Sequence, residues 1–313
     1  MYVFGPVPSR RLGTSLGVSL IPSKVCSLSC VYCQIGKTDK YSISPKSYFD
    51  REEILCEINK AIQNTSIDYI TFAGDGEPTL SSDLGWFLQK CKDIFHISTA
   101  VITNGTLIYK DEVADQLSDA TLVLPSIDAG YEPTFKKINR PHKDLKFDKM
   151  IEGLIDFSNN YSGKIWTETM LVKNYNDNFD EINKIAEIIR KINPEKSFIL
   201  MPTRPPQIDV KKPDPKIFAY AQKLILGSTF LDYMEDGNFD ISNFNTLQEA
   251  LENITTRHPL RLSQAETIAT KYHNNLNKLI DTGKFIIKNY NDEDYLLPAI
   301  KINKEIKNDP KNP

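Results

Sequence analysis

The sequence lacks an apolar run close to the roughly 20 residues that a membrane-spanning helix needs. Its opening residues, MYVFGPVPSRRLG, contain no apolar core of a secretory signal peptide. An excess of one charge is also missing, because 38 Lys and Arg stand against 41 Asp and Glu in 313 residues, for a net charge of −3. We therefore expect a cytoplasmic globular protein, and the charge balance argues against a membrane or a nucleic acid as its partner.

Cysteine is scarce and unevenly distributed. Five cysteines, an odd number, do not form a disulfide framework, and two of them, Cys56 and Cys91, are predicted to be small buried apolar residues. The other three, Cys26, Cys30 and Cys33, form a C-x3-C-x2-C motif. Three thiolates on one short loop can hold three irons of a [4Fe–4S] cluster and leave the fourth iron open to a small molecule. The alternatives are zinc, although a structural zinc site takes four ligands, and free surface thiols, which oxidise readily.

From residue 15 to about residue 226, short β-branched segments alternate with segments of helical periodicity. Ile54, Ile58 and Ile62, for example, fall on one helical face, and Asp50 is a suitable N-cap. Repeated strand–helix units predict an α/β fold with a parallel sheet, either an open partial barrel or a doubly wound sheet. The six predicted strands are Leu16–Ile21, Asp68–Ala73, His96–Thr103, Thr121–Ile127, Ile165–Val172 and Ser197–Met201.

The pattern changes after Gly227. Residues 247–254, 263–271 and 274–281 are predicted helices, and residues 284–288 and 294–297 are predicted strands of a hairpin, an order that resembles a winged helix. Six basic residues stand against five acidic ones from 255 to 297, so a structural, lid or dimerisation role is favoured over DNA binding. We divide the chain into a first domain at residues 1–233, a linker at 234–246, a winged-helix-like domain at 247–299 and a disordered tail at 300–313.

The cysteine motif follows the first predicted strand directly, and in this position it resembles the motif of the radical S-adenosylmethionine (SAM) superfamily. The resemblance implies a partial (β/α)6 parallel barrel and a [4Fe–4S] cluster on the three cysteines. It also implies that SAM binds the open iron and is cleaved to a 5′-deoxyadenosyl radical. Tyr32, between the last two cysteines, matches the aromatic residue that packs near the adenine.

Residues 74–79, GDGEPT, follow the second predicted strand and resemble the superfamily's GGEP segment. The resemblance implies that Gly74, Gly76 and Glu77 hold the SAM ammonium group, whereas Asp75 stands where many members have glycine. Ligands of α/β folds bind at the carboxyl ends of the parallel strands. We call this end of the predicted sheet the mouth, and we expect polar residues at the ends of the later strands to line it together with the GDGEPT segment. We assign to the cofactor site Thr103, Asn104, Ser126 and Asp128, and to catalysis Asp75, Glu168 and Arg204.

Two longer segments narrow the resemblance. GPVPSRRLGTSLGVSLIP, before the cysteines, and SIDAG…F..INRPH, after the fourth strand, resemble the wyosine-synthase-like branch of radical SAM oxidoreductases, and with PTRPP they extend over residues 4–206. Wyosine-forming members carry a second iron–sulfur cluster, which needs three further cysteines, and only Cys56 and Cys91 remain here. Wyosine synthesis is therefore not expected, and a small nucleoside or nucleotide is the predicted substrate.

One activity that the resemblance implies is that of a queuine-salvage lyase, which cleaves queuosine 5′-phosphate and releases queuine, with an electron donor such as flavodoxin or ferredoxin as partner. The candidate ligands of the phosphate are Arg204, Arg140, His142, Arg10 and Arg11. The candidates for the cationic amine are Asp75, Glu168 and Asp128. Two alternatives remain open: a radical SAM enzyme that modifies tRNA or protein, and a DNA-binding regulator that senses redox state through its cluster.

Overall fold

The computed structural model describes residues 1–63, 66–206, 208–225, 227–230, 241 and 244–299. Its strands, in chain order, are β1 (Val3–Ser9), β2 (Gly13–Val18), β3 (Val25–Cys26), β4 (Lys40–Tyr41), β5 (Tyr69–Phe72), β6 (Ser98–Thr103), β7 (Leu122–Pro125), β8 (Lys164–Met170), β9 (Lys196–Leu200), β10 (Ser228–Phe230), β11 (Leu260–Arg261), β12 (Phe285–Tyr290) and β13 (Glu293–Pro298). Its helices are α1 (Arg51–Ile62), α2 (Leu84–Lys90), α3 (Asp111–Leu117), α4 (Glu132–Ile138), α5 (Phe147–Asn160), α6 (Phe179–Ile192), α7 (Pro215–Leu224), α8 (Leu247–Arg257), α9 (Leu262–Lys271) and α10 (Leu276–Asp281).

The main sheet is mostly parallel and has the strand order β1-β2-β5-β6-β7-β8-β9-β10. β1 runs antiparallel to β2, and the later neighbours are all parallel. From β5 to β10, each crossover contains at least one of the helices α2 to α7. The α/β fold with a parallel sheet is therefore confirmed, and within the described ranges the sheet is open, with β1 and β10 at its edges.

Strands β2 and β5 to β9 correspond to the six predicted strands, whereas the two edge strands were not predicted. β1 contains Gly5, Pro6 and Pro8, residue types that are depleted in strands but tolerated at a sheet edge, where an N–H group need not join a ladder. β10 has only three residues. The sequence signals were therefore weakest where the sheet imposes the fewest constraints.

Helix α1 illustrates how the sequence determines a crossover. Ile54 and Ile58 are buried against the sheet, as their spacing predicts. The Asp50 carboxylate accepts hydrogen bonds from the amides of Glu52 and Glu53 at 2.8 and 3.1 Å, which confirms the predicted N-cap. The helix thus begins at a polar cap and packs one apolar stripe onto the strands.

Residues 244–299 form a second unit with its own apolar core, which we call the C-terminal unit. It contains α8, α9, α10 and an antiparallel sheet of order β11-β13-β12. The three predicted helices and the predicted hairpin are present, and β11 is an additional strand. The hairpin turns at Asn291 and Asp292, with φ of 52° and 65°, because a two-residue turn of this kind needs positive φ at both positions.

The predicted domain division extends beyond the described residues. Residues 234–240, 242 and 243 of the predicted linker, and the predicted tail at 300–313, lie outside the described residues. The boundaries of the division therefore stay a prediction. Among the described helices, none combines the length and the apolarity that crossing a bilayer requires.

Candidate cluster and cofactor site

The three cysteines lie on a loop that is fixed at both sides. Strands β3 and β4 pair at its base as a short parallel ribbon. The segment after α4 packs on its outer side, because Ser29 N donates to the Asn139 carbonyl at 2.9 Å and His142 N donates to the Ser27 carbonyl at 2.8 Å. The INRPH sequence therefore shapes the cysteine loop. Arg140 and His142, which were predicted as phosphate ligands, belong to this packing segment.

Polar groups surround the cysteine sulfurs. Cys26 Sγ accepts from the amide of Leu28 at 3.4 Å and from Asn104 Nδ2 at 3.5 Å. Cys30 Sγ accepts from Asn139 Nδ2 at 3.3 Å. Hydrogen bonds of this kind favour metal-bound thiolates and tune the potential of iron–sulfur clusters. Asn104 was predicted to contact the cofactor, whereas the role of Asn139 was not recognised within its motif.

Burial disfavours a bare thiolate at these positions. It raises the pKa of the Cys26 thiol to about 12, and the nearby Glu77 carboxylate acts in the same direction. It also raises the pKa of Cys30 well above the usual value, with Asp128 as the second cause. Positive charge from iron would hold both sulfurs in the deprotonated form that a cluster requires. The donor set therefore fits a [4Fe–4S] cluster.

The alternative of one zinc ion agrees less well with the arrangement. Within the described ranges, no three His, Cys, Asp or Glu side chains converge on a single metal ion. A zinc ion needs its ligands at about 2.0–2.3 Å from one centre, whereas each thiolate of a cube binds its own iron. The three thiolates of a cube need not share one centre, so the cluster agrees better with this finding than zinc does.

The two remaining cysteines differ from each other. Cys91 is buried, as predicted. Cys56 is exposed, so the prediction that it is a buried apolar residue was wrong. The reason is helical geometry, because residue 56 lies about 200° around α1 from the buried Ile54.

The segment 74–79 packs directly against the chain that leads to Cys26. Lys24 N donates to the Asp75 carbonyl at 2.7 Å, and Glu77 N donates to the Val25 carbonyl at 3.2 Å. A Cβ atom at Gly76 would collide with the Val25 carbonyl, and Gly74 has a φ of +115°, so both positions favour glycine. These two glycines allow the two predicted cofactor segments to touch.

Glu77 is buried and holds several elements together. Its Oε1 accepts from the amide and hydroxyl of Thr79 at 3.1 and 2.7 Å and from the Thr103 hydroxyl at 2.6 Å. Its Oε2 accepts from Asn104 N at 2.8 Å. Burial raises the pKa of Glu77, while these hydrogen bonds oppose the rise. Oε1 accepts three hydrogen bonds and Oε2 only the one from Asn104 N among the described residues, so Oε2 retains the capacity for a further donor.

Tyr32 and Asp128, both predicted for the cofactor site, are in direct contact. The Tyr32 hydroxyl donates to Asp128 Oδ2, which also accepts from Asn139 Nδ2 at 2.8 Å. Asp128 Oδ1 accepts from Met170 N at 2.9 Å. Burial raises the pKa of Asp128, and the Tyr32 hydrogen bond is the largest opposing effect. Ser126, Asn104, Asp128 and Asn139 line one small cavity beside the cysteine loop.

An ion pair joins β8 to the turn that precedes β2. Glu168, in β8, is buried and contacts the Arg11 guanidinium, which comes from the turn between β1 and β2. Arg10 lies in the same turn. Arg11 was predicted as a phosphate ligand, but its guanidinium pairs with the carboxylate of Glu168, which was predicted to be catalytic.

The C-terminal unit contacts this mouth through the end of α8. Arg257 Nε and Nη2 lie 2.9 and 2.8 Å from Asp75 Oδ2, and the Arg257 carbonyl accepts from Gln34 Nε2 at 3.0 Å. Arg204 Nη1 donates to Gln34 Oε1 at 3.3 Å, and its Nη2 lies 3.0 Å from His258 Nε2. Arg257 and His258 were not predicted, because no local sequence signal connects them with partners 54 to 223 residues away.

The hairpin of the C-terminal unit contacts the loop after β9. Tyr295 donates to the Thr203 carbonyl at 2.5 Å and Tyr290 to the Val210 carbonyl at 2.8 Å. Asn291, at the tip, donates to the Pro202 carbonyl at 3.2 Å. The hairpin therefore fixes the loop that carries Arg204.

Comparisons with known proteins identify the class. The model of the radical SAM superfamily matches residues 20–189, and the chain belongs to this superfamily. Its cofactors are accordingly a [4Fe–4S] cluster and SAM, and it is a radical SAM enzyme that works with an electron donor. The chain is 36% identical to the UPF0026 protein MJ1312 of Methanocaldococcus jannaschii, over 95% of this chain and 96% of the relative.

Other relatives match only in part. A protein of Brachyspira hyodysenteriae named GTPase Obg is 46% identical over 64% of this chain, which spans only 30% of that relative's length. An S-adenosylmethionine-dependent nucleotide dehydratase of Flammeovirga pacifica is 27% identical over 60% of this chain and 66% of the relative. A solved radical SAM methyltransferase from Sphaerobacter thermophilus superposes with a TM-score of 0.55 and 13% identity, over 69% of this chain and 65% of that chain, a likeness of fold alone.

Proposed function

We propose that this radical SAM enzyme acts on a small phosphorylated nucleoside, and that queuosine 5′-phosphate, cleaved to release queuine, is its substrate. The observation that carries the proposal is the pairing of Arg204 with His258 beside Gln34, the residue that follows Cys33. An arginine fork matches the oxygens of a phosphate, and here it is held at the carboxyl end of β9. Bound SAM and the cluster supply the radical that abstracts a hydrogen atom.

The carboxylates at the mouth differ in what they can still accept. Asp128 accepts from Tyr32, Asn139 and Met170, and Glu168 contacts Arg11. Asp75 Oδ1 is buried and has no hydrogen-bond partner among the described residues. We assign recognition of the substrate's amine to this oxygen, because a buried acceptor without a donor is costly until a ligand supplies one.

The position of the C-terminal unit supports a small substrate over an intact tRNA or protein. Arg257 at the end of α8, His258 directly after it and the tip of the hairpin all contact loops at the mouth. These contacts reduce the space through which a substrate can reach the site from the carboxyl ends of the strands. The similarity to a nucleotide dehydratase agrees with a nucleotide substrate.

The test is anaerobic incubation of the reconstituted protein with SAM, dithionite and queuosine 5′-phosphate, with products analysed by mass spectrometry. Charge-assisted hydrogen bonds contribute about 1.5–3 kcal/mol each, so Arg204→Ala should raise KM for the phosphorylated substrate by about one to two orders of magnitude. KM for the unphosphorylated nucleoside should change much less, and Lys278→Ala on α10 is the matched control. Turnover with intact tRNA alone would refute the proposal, and equal losses on both substrates would show that Arg204 is structural.

A further inference from the structure

An aromatic side chain lies exposed beside the cysteine loop. Tyr41 of β4 is the register partner of Cys26 in β3, and the next amide, Ser42 N, donates to the Cys26 carbonyl at 3.1 Å. The Tyr41 hydroxyl donates to the Arg140 carbonyl at 3.1 Å. Although it is held from two sides, the residue is 39% exposed. The exposed side chain of Tyr41 is therefore on the strand directly next to the one that carries the predicted cluster ligand Cys26.

Basic residues that are at least partly exposed lie on the chain around the cysteine loop and on the segment after α4 that is hydrogen-bonded to it. The carbonyl of Lys24 accepts a hydrogen bond from Lys40 N at 3.1 Å. Lys37 follows the turn that the hydrogen bond from Gly36 N to the Cys33 carbonyl closes. Lys143 comes directly after His142, whose amide donates to the Ser27 carbonyl. We call this surface the basic rim, and it consists of Tyr41, Lys24, Lys37, Lys40, Arg140 and Lys143.

The charge of the basic rim contrasts with that of the rest of the chain. Two acidic residues, Asp39 and Asp144, lie on the same segments, so five basic residues stand against two acidic ones. Taking these away from the chain's 38 basic and 41 acidic residues leaves 33 basic and 39 acidic. A local positive surface on an acidic molecule orients an approaching acidic partner.

We propose that the basic rim is the docking surface of an acidic one-electron carrier protein. The cluster must receive one electron from outside, and electron transfer slows steeply with distance, so the donor has to bind close to a cysteine ligand. Tyrosine and arginine are the residue types that recur at the centres of protein interfaces, and electron-transfer contacts are typically small. A nucleic acid fits this surface less well, because a protein that binds one can contact six to ten phosphates, whereas the basic rim has five basic residues.

The experiment measures cluster reduction and uses no substrate, so its outcome is independent of the proposed queuosine chemistry. Anaerobically reconstituted protein is mixed with a reduced recombinant flavodoxin in a stopped-flow instrument, and the cluster absorbance is followed. Lys40→Glu/Arg140→Glu should lower the second-order rate constant at low salt by about ten-fold or more. The wild-type rate should fall as ionic strength rises. Calorimetry should show the same loss of flavodoxin binding.

Two controls make the result specific. Dithionite, a small reductant that needs no docking surface, should reduce the variant and the wild type equally fast. Lys92→Glu removes an exposed lysine just before β6, at the opposite end of the sheet, and should leave the flavodoxin rate unchanged. An unchanged flavodoxin rate in the double variant, or equal slowing with dithionite, would overturn the proposal. It would also be overturned if a tRNA bound the basic rim and displaced the carrier.

Discussion

The ion pair between Asp75 and Arg257 joins the C-terminal unit to the predicted SAM segment. Two guanidinium nitrogens lie within 2.9 Å of one carboxylate oxygen, and the side chains of Arg257 and Asp75 are 11% and 7% exposed. Removing one partner of a buried pair costs about 3–5 kcal/mol, because the other charge stays buried without compensation. We expect Arg257→Ala to lower the free energy of unfolding by about 3 kcal/mol, the lower end of this range. The guanidinium is the more exposed of the two groups, so water can partly take its place beside Asp75.

The assay is a double-mutant cycle, measured by urea denaturation of the protein without SAM. If the two side chains act as a pair, Asp75→Ala/Arg257→Ala should lose less than the sum of the single variants, with a coupling of about 1–3 kcal/mol. Lys278→Ala, an exposed change in the same unit, should stay within about 0.5 kcal/mol of the wild type. Additive losses would refute the reasoning, because they would mean that each residue stabilises the fold through other contacts.

Three further predictions concern the cluster and SAM. Replacing Cys26, Cys30 or Cys33 by Ala should abolish binding of about four irons per chain, whereas Cys56→Ala and Cys91→Ala should retain it, as read by iron analysis and absorbance. Asn139→Leu should lower the midpoint potential of the cluster by about 40 mV in an EPR titration, since one hydrogen bond of about 1 kcal/mol to sulfur is lost; an unchanged potential would contradict this. Glu77→Ala should weaken SAM binding about ten-fold or more in calorimetry and retain iron, because the thiolates alone hold the cluster; loss of iron would show that its role was assigned wrongly.

Much of the site could be predicted because its signals are local. The cysteine motif and the GDGEPT segment are short, and both adjoin strands whose apolar pattern is clear. Parallel topology then brings strand ends together, which is why Glu77 contacts both Thr103 and Asn104. The exposed position of Cys56 was also accessible from helical periodicity, which was used for its isoleucine neighbours but not for the cysteine itself.

Other features depend on tertiary contacts that no local pattern reveals. Charge counting favoured a structural, lid or dimerisation role of the C-terminal unit over DNA binding, but it did not indicate what the hairpin contacts. The tip residue Asn291 binds the loop after β9, and Arg257 reaches Asp75 across 182 residues of sequence. Such contacts depend on how two separately cored units pack, and the chain between residues 230 and 244 contains no motif that predicts it.

The departure from glycine at position 75 now has a physical reason. Gly74 and Gly76 meet backbone constraints, a positive φ and a close carbonyl, that a side chain would violate. Position 75 carries no such constraint, and its side chain extends to Arg257, whose carbonyl in turn binds Gln34 beside the last cysteine. One residue of the C-terminal unit therefore contacts both segments that the superfamily uses for its cofactors. Movement of that unit would therefore disturb the two segments together.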